Sequence, residues 1–449
     1  MDVLRVRSIP FMARRTYFQE LRHLLAWSVL VGLVEGQFAG IVVAKTFHGG
    51  NLLITIATTT PTAAYLFSLT WGMLCVGRPK MRLFMLLGTG VALLAGTVGV
   101  APPTPAGAVW FIVQMAAAQA LQAGVVTVRS ALWRSNYPRA YRGLITGRLE
   151  ALRFVIALVT VLGAAHLCDR DPLSYRLVYP VAGTLGVIGV ALLSPMRVRG
   201  ERRELRRRAK TDSIEDVYET HMEPFSLTAL LSPGHVFRRM IAVLRKDPRF
   251  TRYCVAQSFT GVANLMTVPV VVAVVAQDLD LGDAWGFWIS TALIQALPNL
   301  CRVGSIGRSA RYFDRVGVLK LRVVNVSCWV GSLTFGLAAT ILALGGEGMG
   351  ATNLIMAVAL FALRGFLAGL AFGGGAIAWN IGHLDFVKSA EAEVYMGIHV
   401  FLTGVRGLIA PAVGMWLFAV TGWFVWVVAI GSALCSLVMY SRLASEEGT

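Results

Sequence analysis

The feature that most constrains this chain is a succession of apolar blocks, each about 20 residues long, separated by short polar connections. About 20 apolar residues is the length at which a helix crosses the hydrocarbon core of a bilayer. Lipid offers no hydrogen bonds to a backbone, so the blocks are expected to be helices, which satisfy their own. Composition decides between buried core and membrane span. The 449 residues are 56% hydrophobic and 14% charged, with a mean hydropathy of +0.65. A water-soluble domain carries about a quarter charged residues. An all-α integral membrane protein follows.

Candidate spans lie near 24–45, 50–74, 83–100, 106–128, 147–167 and 174–194, then 250–276, 284–303, 323–345, 351–378, 394–420 and 422–441. Twelve transmembrane helices in two six-helix bundles with pseudo-two-fold symmetry are therefore expected. The implied organisation is an N-terminal segment 1–23, a first bundle 24–194, a central loop 195–249, a second bundle 250–441 and a tail 442–449. Charge supports that layout. The N-terminus, the loops after even-numbered spans and the C-terminus hold 35 of the 41 Lys and Arg, whereas the loops after odd-numbered spans hold only Lys45, Arg170 and Arg176. Positive charge collects on the cytoplasmic side, so both termini are expected there.

The formal charge of +17 then needs no nucleic-acid partner. Much of it is topology signal, and RVRGERRELRRRAK at 197–210 is placed where anionic lipid headgroups attract it. After an acidic and mixed stretch, SPGHVFRRMIAVLRKDPRF opens with a helix-entry signal. Val236, Met240, Ile241, Val243 and Leu244 can share one face of a helix lying on the membrane surface. The N-terminus has no short apolar region with a cleavage site, so the first span is read as a retained anchor. Six scattered cysteines and seven dispersed histidines show no disulfide framework and no metal-ligand spacing. No phosphate-binding GxxxxGK[ST] run occurs. Neither cofactor nor enzymatic activity is expected, and nothing fixes an oligomeric state beyond a monomer.

Short repeats link the halves. GLVE at 32–35 matches GVAN at 261–264, and WRSN at 133–136 matches WNIG at 379–382. With these in place the chain resembles the major facilitator superfamily of secondary transporters, in its twelve spans, inside termini and basic central loop. ARYFDRVG, 310–317, is similar to that family's loop motif: Asp314, Arg315 and Gly317 match, with Ala310 where glycine is usual. In the first half, WGMLCVGRPKMR keeps Gly77, Arg78 and Lys80 but has Leu74 and Cys75 at the Asp-Arg positions. NYPRAYRGLITGR, with Arg142, resembles the family's loop after span four, and GLIAPAVG at 407–414 its Gly/Pro kink. The resemblance implies alternating access by rocking of the two bundles, with Asp314, Arg315, Gly317 and Arg142 in a latch. It also places Glu35 and Arg364 beside the central cavity.

Five charges within the spans are read as lying at membrane depth: Glu35, Glu150, Arg153, Arg364 and Arg406. Each costs at least about 2.5–3.5 kcal/mol at a helix centre, so each calls for a partner or water. Glu150 and Arg153, three apart, form a structural ion pair on one helix. Arg406 is about 18 Å into its span at 1.5 Å per residue. No acid lies inside any span of the second half, so Arg364 and Arg406 look to the other half, to a solute, or to carbonyls and water. Glu35 is the remaining mid-depth acid and a partner for Arg364 across the halves. Polar Gln122 and Asn264 add hydrogen bonds to a wet cavity, while His399 reads as a packing residue. The expected function is secondary active transport of a small anionic or zwitterionic solute, with Glu35 coupling it to protons. The alternative is a transporter-like sensor or scaffold without flux. The expected membrane is a bacterial inner membrane.

Overall fold

The computed structural model describes residues 9–75, 78–203, 205–206, 233–279, 281–282, 285–345, 350–382, 386 and 392–446, and every regular element among them is a helix. Helices α1 (Phe11–Val34) and α2 (Phe38–Lys45) meet at a 48° bend. A 3-10 turn then joins α3 (Asn51–Ala63) to α4 (Ser68–Cys75). The first half continues with α5 (Lys80–Thr97), α6 (Pro105–Asn136), α7 (Arg139–Arg170) and α8 (Tyr175–Leu193). A helix α9 (Pro233–Lys246) leads into α10 (Pro248–Ala273). Then come α11 (Gly286–Thr291), α12 (Leu297–Leu344), α13 (Ala351–Ile381), α14 (Ala392–Thr421) and α15 (Phe424–Ser445).

Local chemistry sets several boundaries. Thr104 caps α6, its hydroxyl accepting from Gly107 N at 3.2 Å, and Pro105 takes the position that needs no N–H. Asp247 and Pro248 repeat the device at α10, with Asp247 Oδ1 accepting from Phe250 N at 2.9 Å. Within α12 the chain turns at Gly317, with φ 77° and ψ 179°. A side chain is strained there, which explains the glycine of the ARYFDRVG loop.

Nine helical segments are long and apolar enough to cross a membrane, and the bent α1–α2 pair makes ten among the described residues. The expected spans near 50–74 and 284–303 do not reach that measure. Pro61, a run of threonines and the 3-10 turn interrupt the first, and the π turn Ala292–Ala296 interrupts the second. Leu86, Trp416 and Val420 are 71%, 63% and 66% exposed, the outward apolar surface of a protein whose solvent is lipid. The chain is a multi-pass integral membrane protein.

Helix α1 begins at Phe11, ahead of the apolar window expected to open near residue 24. Ala13, Tyr17, Glu20, Leu21 and His23 are buried, and a ring nitrogen of His23 lies 2.8 Å from Gly189 O. Burial by neighbouring helices sets the helix start, so it extends beyond the apolar window.

The two halves repeat one packing scheme. Helix α1 packs on α7 and α8, and α10 packs on α14 and α15. Glycines bring helices together where no hydrophobic force separates protein from lipid. Gly365, Gly369 and Gly373 form a stripe on α13 against Leu293, Pro298 and Arg302 carbonyls. Gly404 and Gly407 of α14 lie against Leu66 and Thr62 of the first half.

Candidate functional site

The bend after α1 organises the first half of the site. Glu35 closes the last turn of α1, its N–H donating to Val31 O at 2.9 Å, and the helix resumes at Phe38. Carbonyls near such a break need donors. Gln119 Nε2 donates to Val34 O at 2.9 Å, and Gln295 Nε2 of the second half donates to Gly32 O at 3.2 Å. A Cβ at Gly36 would displace the Gln295 carboxamide from its present place.

The bend delivers the Glu35 carboxylate to two partners. Gln122 Nε2 donates to Oε1 at 2.5 Å, and the Arg153 guanidinium reaches Oε2 at 2.5 Å. Arg153 also holds Glu150, at 2.7 Å, on its own helix. Glu35 is therefore paired with Arg153 rather than with Arg364, because the bend turns it towards α6 and α7. The network continues through Arg129, 3.9 Å from Glu150 and 3.6 Å from Glu20. Glu20 also accepts from Trp133 Nε1 at 2.8 Å and Tyr137 OH at 2.9 Å. The first half thus carries three carboxylates around two guanidiniums.

The second half is built otherwise. Arg322, Arg364 and Arg406 are buried, at 2%, 6% and 7% exposure, and none forms an ion pair among the described residues. Arg406 donates to Ser258 Oγ at 3.2 Å and to Thr403 Oγ1 at 2.7 Å, while its Nε has no acceptor. Gly261 makes room for it, since a Cβ there would lie 2.6 Å from Nε. Arg322 reaches the Tyr253 hydroxyl at 3.3 Å. For Arg364 the Nε is buried without an acceptor among the described residues, and Ser332 Oγ donates to its backbone carbonyl at 2.9 Å. Arg302 lies 4.6 Å over the Phe154 ring, whose other guanidinium neighbour is Arg153 at 4.9 Å. That stack links the halves.

Other contacts between halves lie at the end away from the termini. Asp169 accepts from Phe287 N at 2.6 Å and Trp288 N at 2.9 Å, and Gln277 Nε2 donates to Gly49 O at 2.8 Å. At mid-depth Thr62 Oγ1 donates to Gly407 O at 3.3 Å.

The sequence-derived residues are thus only partly brought together. Glu35, Gln122, Glu150 and Arg153 form one cluster, while Arg406 and Arg364 stand in separate surroundings. Asn264 is half-buried, and no hydrogen bond of its side chain is present among the described residues. Arg315 is exposed beside the Gly317 turn, and the side chains of Asp314 and Arg142 lie outside the described residues. Glu20, Arg129 and Arg322 were not among the five charges expected at depth. They sit where helices outrun the apolar window, and their aromatic neighbours Trp133, Tyr137 and Tyr253 were the available signal.

Residues 24–383 match the Major Facilitator Superfamily. No curated protein matches the chain. Among solved structures, a variant of the nucleoside transporter NupG is similar at TM-score 0.65 and 14% identity, over 95% of this chain and 99% of that one. A POT family transporter in complex with a thioalcohol-conjugated peptide gives TM-score 0.67 at 14% identity, over 98% and 99%. A POT family transporter in complex with 5-aminolevulinic acid gives 0.64 at 14%, over 98% and 99%. At such identities the likeness is one of fold.

Proposed function

The chain belongs to the major facilitator superfamily and is a secondary transporter, and we propose that its solute is a small anion or zwitterion. The observation that carries the proposal is the pair Arg364 and Arg406, buried with no carboxylate partner among the described residues. An unpaired buried charge costs several kcal/mol, and a bound anion offsets that cost.

Glu35 is the coupling residue in this proposal. A proton on its carboxylate neutralises it and leaves Arg153 to Glu150, loosening the contact between the α1 bend and α7. The count of basic residues supports an orientation with both termini cytoplasmic and anionic lipid at 197–210; the family resemblance supports a bacterial inner membrane. On that orientation Asp169 and Gln277 close the outer end, and the solute enters and leaves by rocking of the halves. Asp314, Arg315 and Arg142 latch the inner end around the Gly317 turn.

A thermal-shift screen of metabolites on purified protein tests the solute class, since ligands that bind the folded state raise its stability. Carboxylates or amino acids are expected to raise the midpoint, and Arg364→Ala and Arg406→Ala to remain inserted without responding. A response confined to amines or neutral sugars overturns the proposal, as does an unchanged response in both variants. For coupling, Glu35→Gln is expected to lose dependence on a pH gradient but keep exchange. Gradient-driven uptake in that variant removes Glu35 from the role.

A further inference from the structure

Arg129 of α6 stands between two carboxylates and closes on neither. Its Nη2 lies 3.6 Å from Glu20 Oε2, and its Nη1 lies 3.9 Å from Glu150 Oε1. Both distances exceed the roughly 2.7–3.2 Å of an N–H···O hydrogen bond. Nη2 is buried and has no hydrogen-bond acceptor among the described residues. The guanidinium rests 4.7 Å over the Trp133 ring, and Trp133 Nε1 donates to Glu20 at 2.8 Å. A planar cation on an aromatic face can turn towards either acid while keeping that face.

The neighbouring pair explains the open position. Arg153 spans Glu35 and Glu150, at 2.5 and 2.7 Å, so Glu150 has only its Oε1 left for Arg129. With Glu35 ionised, three carboxylates share two guanidiniums and each guanidinium is divided. With Glu35 protonated, two carboxylates remain for two guanidiniums. Arg153 then closes on Glu150, and Arg129 is left to Glu20. We propose that Arg129 is a positioning residue that carries the protonation of Glu35 to the end of the first half nearer the termini, by closing on Glu20. The signal crosses about 22 Å along α1, fifteen residues at 1.5 Å each. The inference rests on Glu35 as the coupling residue and assigns the route by which its charge is felt elsewhere.

Other titratable and charged groups face the two ends of this chain of contacts. On the Glu35 side, Tyr65 and Arg302 approach, and Arg302 forms no ion pair among the described residues. On the Glu20 side, Tyr137 of α6 donates to Glu20, Arg148 of α7 hydrogen-bonds Tyr17, and His23 faces Gly189 O of α8. Among the described residues, Arg129 is the one guanidinium within 4 Å of both Glu150 and Glu20.

The test uses the full chain in phosphatidylcholine nanodiscs, labelled with 5-fluorotryptophan and titrated from acid to alkaline pH without added solute. Fluorine NMR reads the Trp133 ring, assigned by the resonance missing from Trp133→Phe. Infrared difference spectra read the C=O stretch of a protonated carboxyl. One such band is expected to disappear in Glu35→Gln. The Trp133 resonance is expected to shift in step with that band, and to hold its acid position at every pH in Glu35→Gln. Glu150→Gln removes the shared carboxylate, and is expected to keep the Glu35 band while abolishing the Trp133 shift. A Glu35 band beside an unmoving Trp133 resonance in the unmodified chain overturns the inference and leaves the coupling reading intact. A Trp133 shift that persists in Glu35→Gln or in Glu150→Gln overturns it too. Absence of any carboxyl band that depends on Glu35 removes both.

Discussion

A guanidinium held at membrane depth reports on its surroundings, because the charge cannot be titrated away and must be answered by something. Glu20 answers Arg129 inside a shell of Trp133 and Tyr137, at 2% exposure. Glu20→Gln is expected to destabilise the protein by about 3–5 kcal/mol, the usual result of removing one member of a buried pair. The thermal midpoint of the solubilised protein reads this, and an unchanged midpoint would show that Arg129 has another answer. Gly317 makes a backbone demand instead. With φ at 77°, Gly317→Ala is expected to cost about 1–2 kcal/mol and lower the same midpoint. Glu35, Arg153, Arg364 and Arg406 stand out in the sequence because each interrupts an otherwise apolar run. Their partners are less legible. Glu35 meets Arg153 only because the chain bends at Gly36, and one glycine between two polar residues was the sole written sign.

At the level of elements, the bend between α1 and α2 and the contact between α3 and α14 carry the account. The first turns a carboxylate into the interior and is held by glutamines from both halves, Gln119 and Gln295. The second brings Gly404 and Gly407 so near Leu66 and Thr62 that a Cβ at 407 would lie 2.7 Å from the Thr62 Cβ. Gly407→Val is expected to slow transport at least tenfold while leaving solute binding within twofold. Uptake and equilibrium binding measured side by side check it, and parallel loss of both would make the contact structural. Helix existence was readable from apolar length alone. Helix ends were not, because α1 and α6 run past the bilayer-length window under cover of neighbouring helices. The segments near 50–74 and 284–303 were the least legible, since prolines, threonines and a π turn interrupt them while neighbours hold them in place.

Across the whole molecule the interior charge is uneven. Three carboxylates surround two guanidiniums in the first half, and three buried guanidiniums have no carboxylate in the second, among the described residues. The halves also meet unevenly, clamped where Asp169 receives two backbone N–H groups at the end away from the termini. Hydrogen bonds to a charged acceptor contribute about 1.5–3 kcal/mol each. Asp169→Asn is expected to open that end, seen as faster labelling of a cysteine placed at Gly49 by a membrane-impermeant reagent; unchanged labelling would dismiss the clamp. The sequence-level symmetry between halves pointed to a repeated frame, and the packing of α1 and α10 follows it. It did not reveal that Arg406 meets the hydroxyls of Ser258 and Thr403 whereas Arg153 meets the carboxylates of Glu35 and Glu150.

Flux separates transport of an anion from every other reading of Arg364 and Arg406. Proteoliposomes containing the unmodified chain, Arg364→Ala or Arg406→Ala are supplied with labelled carboxylates, amino acids, sugars and amines. Uptake of at least one carboxylate or amino acid by the unmodified chain is expected, with none of the amines, and a loss of at least tenfold in both variants. Uptake confined to sugars or amines, or equal uptake of the anion by both variants, would contradict it.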